Sequence, residues 1–205
     1  MLAYLFWHRP RENSAVAAYE QALVAFHRSL AHTPPVGLCA SAVFRVAELP
    51  WLASAAAGEL QATYEDWYIV EDYAALGVLN EAAVGRGHST AHDQAARRFG
   101  AGRGGLYGLV EGDRAELDQH GGLIGEASLA VWVARPPGSK RRGLGELLGD
   151  GMDPRHASLW RRQLVLGPAP EFCLLASELP PGVAPTRLPA GWSATVLDRD
   201  VLWNG

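Results

Sequence analysis

Lysine is almost missing from this chain: Lys140 is the single lysine among 18 basic residues, in a sequence rich in alanine and glycine. That pattern reflects nucleotide composition rather than phosphate recognition. Basic charge is also in deficit, with a formal net charge of -4 and a pI near 6.0. Nucleic-acid binding normally shows a basic stripe that neutralises several phosphates, so it is disfavoured. Two cysteines, Cys39 and Cys173, are too few for a disulfide framework and too far apart for a zinc site, and both lie in apolar stretches as expected of buried thiols. No long hydrophobic run is present. The apolar stretch Leu2 to Trp7 has no basic segment before it and meets Arg9 at once, which excludes a signal peptide and a membrane span and leaves a cytoplasmic location as the expectation.

What is present is core-forming material, since 48% of the residues are hydrophobic, enough for a full globular core. Leu2 to His8 is a short aromatic-rich run that reads as a strand ended by Arg9-Pro10. Val16, Tyr19, Leu23, Phe26 and Leu30 then recur at spacings of three and four on one helical face, with Asn13-Ser14 as the expected N-cap. Gly37 to Glu48 and Leu60 to Val70 read as strands, with Pro50 to Gly58 a loop or short helical turn between them. Glu71-Asp72 opens a helix carrying Tyr73, Leu76, Leu79 and Val84, a short helix follows over Ser89 to Phe99, and Leu106 to Glu111 is a fourth strand. The resulting order is β-α-β-β-α-β, the ferredoxin-like pattern, whose helices cover one face of an antiparallel sheet and leave the other in need of a cover.

A second copy is expected to supply that cover. Leu129 to Pro137 (LAVWVARPP) echoes Leu2 to Pro10 (LAYLFWHRP), and Ser158 to Pro181 echoes Ser29 to Pro50, ending in the same Glu-Leu-Pro. The fold class expected is α+β: a ferredoxin-like half over residues 1–126 and a trimmed, degenerate second half over 127–205, with antiparallel sheets packed as an α+β barrel. Residues 180–191, holding four prolines, read as an extended surface connection.

Residues 64–96 (YEDWYIVEDYAALGVLNEAAVGRGHSTAHDQAA) resemble the dimeric α+β barrel proteins, in particular the antibiotic-biosynthesis-monooxygenase-like group. The features that carry the resemblance are Glu65 and Trp67 in a strand, Glu71-Asp72 at a helix start, and His88 with His92 where the helix ends. It implies two facing ferredoxin-like sheets, across subunits or within one chain, and a space between sheet and helices for a small organic ligand or haem. It implies a fold far more than an activity.

Several groups are candidates for chemistry. His88 and His92 share a helical face at a spacing that offers two imidazoles to a metal or haem, or forms an ordinary surface pair. Glu65, Asp66, Glu71 and Asp72 crowd together, but strand alternation sends Glu65 and Asp66 to opposite faces. Trp7, Trp67, Tyr68 and Trp132 are expected pocket walls, and they also suit plain core packing. His8 and Glu65 are the expected base or polar anchors. GAGRGG at 100–105 follows a helix and opens a strand, the reverse of a phosphate-binding loop, and reads as a flexible connection.

The leading expectation is a small-molecule-binding α+β barrel protein, an oxygenase-like enzyme acting on an aromatic or polyketide-like substrate with no bound cofactor or metal. Two alternatives stand beside it: a non-enzymatic interaction protein with a degenerate site, and a haem-binding protein using His88 or His92. The expected partners are a small organic ligand and a second copy of the chain, with neither nucleic acid nor membrane.

Overall fold

A computed structural model of the protein describes residues 1–47, 49–52, 62–85, 87–118, 122–136, 138, 153, 155–164, 170–184 and 187–205. The chain runs β1 (Leu2–Pro10), α1 (Val16–His32), β2 (Leu38–Val46), β3 (Thr63–Val70), α2 (Tyr73–Val84), α3 (Ser89–Ala96) and β4 (Phe99–Glu111). Two short helices, α4 (Arg114–Asp118) and α5 (Gly122–Glu126), lead into β5 (Leu129–Ala134), β6 (Ala157–Arg162), β7 (Phe172–Ala176) and β8 (Ser193–Asn204). The fold is α+β, as expected. Among the described residues no helix is long and apolar enough to cross a membrane.

The eight strands close into one antiparallel barrel in the order β1-β3-β2-β8-β5-β7-β6-β4. The first four strands lie as β4-β1-β3-β2 and the last four as β8-β5-β7-β6, so each group reads last, first, third, second. Two seams join them, β2 to β8 and β4 to β6. Closure within one chain removes every exposed sheet edge, and the inner face of the first group is covered by the second.

Strand alternation divides β1 and β3 between two environments. Ala3, Leu5 and Trp7 pair across from Ile69, Trp67 and Glu65 and point into the barrel. Tyr4, Phe6 and His8 pair across from Tyr68, Asp66 and Tyr64 and point outward, toward the helices. All eight residues of β3 are buried, because both of its faces are covered.

The barrel interior is a packed aromatic core. Trp7, Trp67, Trp132, Trp160 and Tyr107 meet one another edge-on or tilted, with ring centroids 5.2 to 6.2 Å apart. Trp51, the middle residue of the 3-10 turn Pro50–Leu52, adds edge contacts to Trp7 and Trp132. Leu117 of α4 and Ile124 of α5 join the same cluster.

Several local features differ from the sequence reading. The cap of α1 is Ala15, with no side-chain bond, while Asn13 takes a left-handed turn at φ 68°. The Asp72 carboxylate caps α2 by accepting from the Ala75 amide at 2.9 Å, in line with the acidic helix start. The glycine-rich run at 100–105 is part of β4 rather than a flexible connection. The reason is steric: a Cβ on Gly102 would lie 2.8 Å from the Phe6 ring and 2.8 Å from the Trp7 carbonyl, and one on Gly104 would lie 2.9 Å from the Tyr4 hydroxyl. These glycines let aromatic side chains from β1 lie flat across β4.

Candidate functional site

Outside the barrel, between the outer face of β1 and β3 and the helices α1, α2 and α3, lies an open cavity of about 770 Å³. That volume falls within the range of about 300–1,000 Å³ that suits drug-sized ligands. Its walls are apolar: Leu23 and Phe26 from α1, Leu76 and Leu79 from α2, Ala95 from α3, and Phe99 where β4 begins. Tyr73 and Val84, 60% and 55% exposed, stand at its rim, so solvent reaches it along α2.

The floor is polar. His8 and Asp66 are 1% and 3% exposed, yet both line the cavity. His8 Nε2 lies 3.0 Å from Asp66 Oδ1, at ion-pair distance. On its other side, His8 Nδ1 is 2.7 Å from the Tyr19 hydroxyl. With the carboxylate holding the ring proton on Nε2, Nδ1 is the acceptor and Tyr19 the donor. Asp66 Oδ2 accepts from the Tyr68 hydroxyl at 3.1 Å and lies 3.7 Å from His27 Nε2. The imidazole of His8 is held flat by stacking on Tyr64 and Phe6, at 5.5 and 5.2 Å between centroids.

Electrostatics fix the protonation of most of this array. Burial alone would raise the Asp66 carboxyl, but the facing imidazoles of His8 and His27 outweigh it and hold the group well below the usual carboxylate range. Burial raises the phenols of Tyr4, Tyr19 and Tyr68, and the negative charge of Asp66 raises each further. Tyr64 is raised by burial and by the Glu20 carboxylate that its hydroxyl bonds. The floor is therefore an ionised carboxylate with neutral phenol donors around it.

The sequence-derived candidates separate into two groups. His8 and Tyr68 stand on the cavity floor. Glu65, Trp7, Trp67 and Trp132 do not: they face the barrel interior, which the described side chains pack without joining the cavity. The Glu65 carboxylate accepts from the indole N–H groups of Trp7 (2.9 Å) and Trp67 (2.6 Å) and lies 3.5 Å from Arg199 Nε, all fully buried. Burial pulls the Arg199 guanidinium down to about 10, against the pull of Glu65, so it stays charged at neutral pH. It stacks 3.4 Å over the Phe44 ring and donates to the carbonyls of Ile124 and Ala127, which anchors α5 to the barrel. Glu65 is thus an anion of the barrel interior, and its neighbour Asp66 is the carboxylate that lines the cavity.

The two remaining histidines also part company. His88 is buried, with Nδ1 3.1 Å from the Ser29 hydroxyl and Nε2 3.1 Å from the Thr33 carbonyl, so both ring nitrogens are occupied in pinning α3 to the end of α1. His92 lines the outer part of the cavity, edge-on to Phe26 at 5.6 Å and 3.3 Å from Asp93. Among the described residues, no group of three or more His, Cys, Asp or Glu is placed to hold a metal ion. Tyr19 and His27 join these candidates only in the fold, whereas Asp66 stood in the sequence as one of a cluster of four acids. The helical stripe held Tyr19, and alternation had already separated Asp66 from Glu65.

No protein-family model matches the chain, and no curated protein matches its sequence.

Proposed function

We propose that this protein is a single-chain relative of the dimeric α+β barrel enzymes, in which the second four strands are a degenerate copy of the first. The matching strand order of the two groups supports that reading. Residues 1–126 would then carry the site, and 127–205 would complete the barrel.

The activity proposed is proton abstraction from a hydroxylated aromatic or polyketide-like substrate, followed by its oxygenation without a bound cofactor. One observation carries it: a Tyr19–His8–Asp66 chain on the polar floor of an otherwise apolar cavity. An apolar ring system fills the walls, and its acidic hydroxyl reaches Tyr19. As the substrate proton passes to the Tyr19 oxygen, the Tyr19 proton passes to His8 Nδ1, and the new imidazolium faces Asp66. The ring anion is then electron-rich enough to reduce dioxygen. For a phenol with a neighbouring C–H, one oxygen atom enters the ring as the second carbonyl of a quinone. The other leaves as water with the two displaced hydrogens.

Incubation with hydroxynaphthalenes and anthrones under isotopically heavy dioxygen, read by mass spectrometry, tests the proposal. The expected result is one heavy oxygen atom in the product, with loss of turnover in Tyr19→Phe and His8→Ala. If no hydroxylated aromatic is consumed faster than in buffer, the oxygenase reading is wrong.

A further inference from the structure

Asp66 serves two imidazoles, not one. His8, on β1, approaches Oδ1 at 3.0 Å, while His27, on α1, approaches Oδ2 at 3.7 Å. His27 is 0% exposed and is absent from the cavity wall. It stacks on Tyr68 with centroids 5.0 Å apart and planes 10° from parallel, and its Nδ1 has no partner among the described residues. A ligand cannot touch it. The expected reason to bury an imidazole behind a carboxylate is packing, but an apolar ring would pack there without placing a nitrogen 3.4 Å from the Tyr68 hydroxyl and 3.7 Å from Asp66 Oδ2.

One carboxylate cannot neutralise two imidazolium charges. Among the described residues, the other titratable groups around the array offer no second anion within reach. Tyr4 on β1, Tyr64 and Tyr68 on β3, and Tyr19 on α1 are phenols. Glu20 on α1 is committed to Arg45 and Tyr64. At the rim, α2 brings Tyr73, and α3 brings His92 with Asp93 beside it, while β4 brings the uncharged Phe99. A positive charge on one imidazole therefore weakens the hold of Asp66 on the other.

We infer that His27 is a positioning residue for the site: by sharing Asp66 it holds the proton at the back of the array and leaves His8 as the proton acceptor at the ligand side. This rests on the functional reading of His8 given above, but its geometry exists without any ligand. Removing His27 hands the whole carboxylate to His8 and removes a competing proton site, so His8 is expected to hold its proton more tightly in the variant than in wild type.

The test is an NMR titration of the imidazole Cε1–H resonances in the ligand-free protein, comparing wild type with His27→Gln, whose amide can still face Asp66. An upward shift of the His8 midpoint supports the inference, and an unchanged or lower midpoint in a folded variant overturns it. Coupling is reciprocal, so if His27→Gln does not fold, His8→Gln must raise the midpoint of His27. If neither variant folds, the wild-type curves decide: two mutually displaced transitions uphold the coupling, and two independent single-site curves overturn it. A shift in a protein that consumes no hydroxylated aromatic would uphold the inference and sink the proposed oxygenation. Turnover without any shift would do the reverse.

Discussion

Glu65 and Asp66 are neighbours in sequence and are buried on opposite sides of one strand, Glu65 against Arg199 in the barrel and Asp66 against His8 on the cavity floor. One peptide unit thus links the anion that holds the barrel to the anion that equips the cavity.

Truncating Glu65 to alanine strands the Arg199 charge and two indole N–H groups in a dry interior. Breaking a buried pair in this way costs about 3–5 kcal/mol. Urea unfolding of Glu65→Ala is expected to show that loss, while ligand binding by the folded fraction is unchanged.

Asp66 makes the acid limb of stability depend on this site. Its carboxyl is held below the usual range in the folded protein, so the unfolded chain binds a proton that the native one does not. Its stabilising contribution is complete above the ordinary carboxylate value of about 3.9 and fades as pH falls through it toward the depressed value. Denaturant midpoints measured across that window should fall more steeply for wild type than for Asp66→Asn.

Gly77 sits inside α2 with open space where a side chain would project, and it lines the cavity. Gly77→Ala should therefore raise stability by about 0.5–1 kcal/mol, the usual gain of alanine over glycine in a helix interior. Gly77→Trp should keep the fold and close the cavity, which thermal melts and ligand titration would separate.

The glycines of β4 make an opposite pair of expectations. At Gly102 the obstruction includes the Trp7 carbonyl, which cannot swing away, whereas at Gly104 it is the Tyr4 ring, which can. Gly102→Val is expected to destabilise by at least the 1–3 kcal/mol typical of overpacking. Gly104→Val should cost less stability but weaken ligand binding, because the displaced Tyr4 ring borders the floor.

Much of the first half was legible from periodicity. The order β-α-β-β-α-β and the buried stripe of α1 follow from spacings that packing did not override. The site was legible only in part. In a strand whose two faces are both buried, alternation separates Glu65 from Asp66 but cannot say which face is core and which is cavity. The tryptophans drew attention to the face that packs the barrel interior, since bulk suits a core as well as a ligand wall. His27 and Tyr19 lie eight residues apart in one helix, and only tertiary contact with His8 and Asp66 gives them meaning. The glycines of β4 misled because the cross-strand rings that require them lie nearly a hundred residues away in sequence.

The central claim is that the cavity beneath α1, α2 and α3 is where this protein meets its ligand, and naphthol titration followed by NMR tests it most directly. The account predicts saturable shifts confined to cavity residues such as Leu23, Phe26, Leu79 and Ala95, lost in Gly77→Trp and weakened in Tyr19→Phe. Shifts that map to β5 through β8, or that survive Gly77→Trp unchanged, would contradict it.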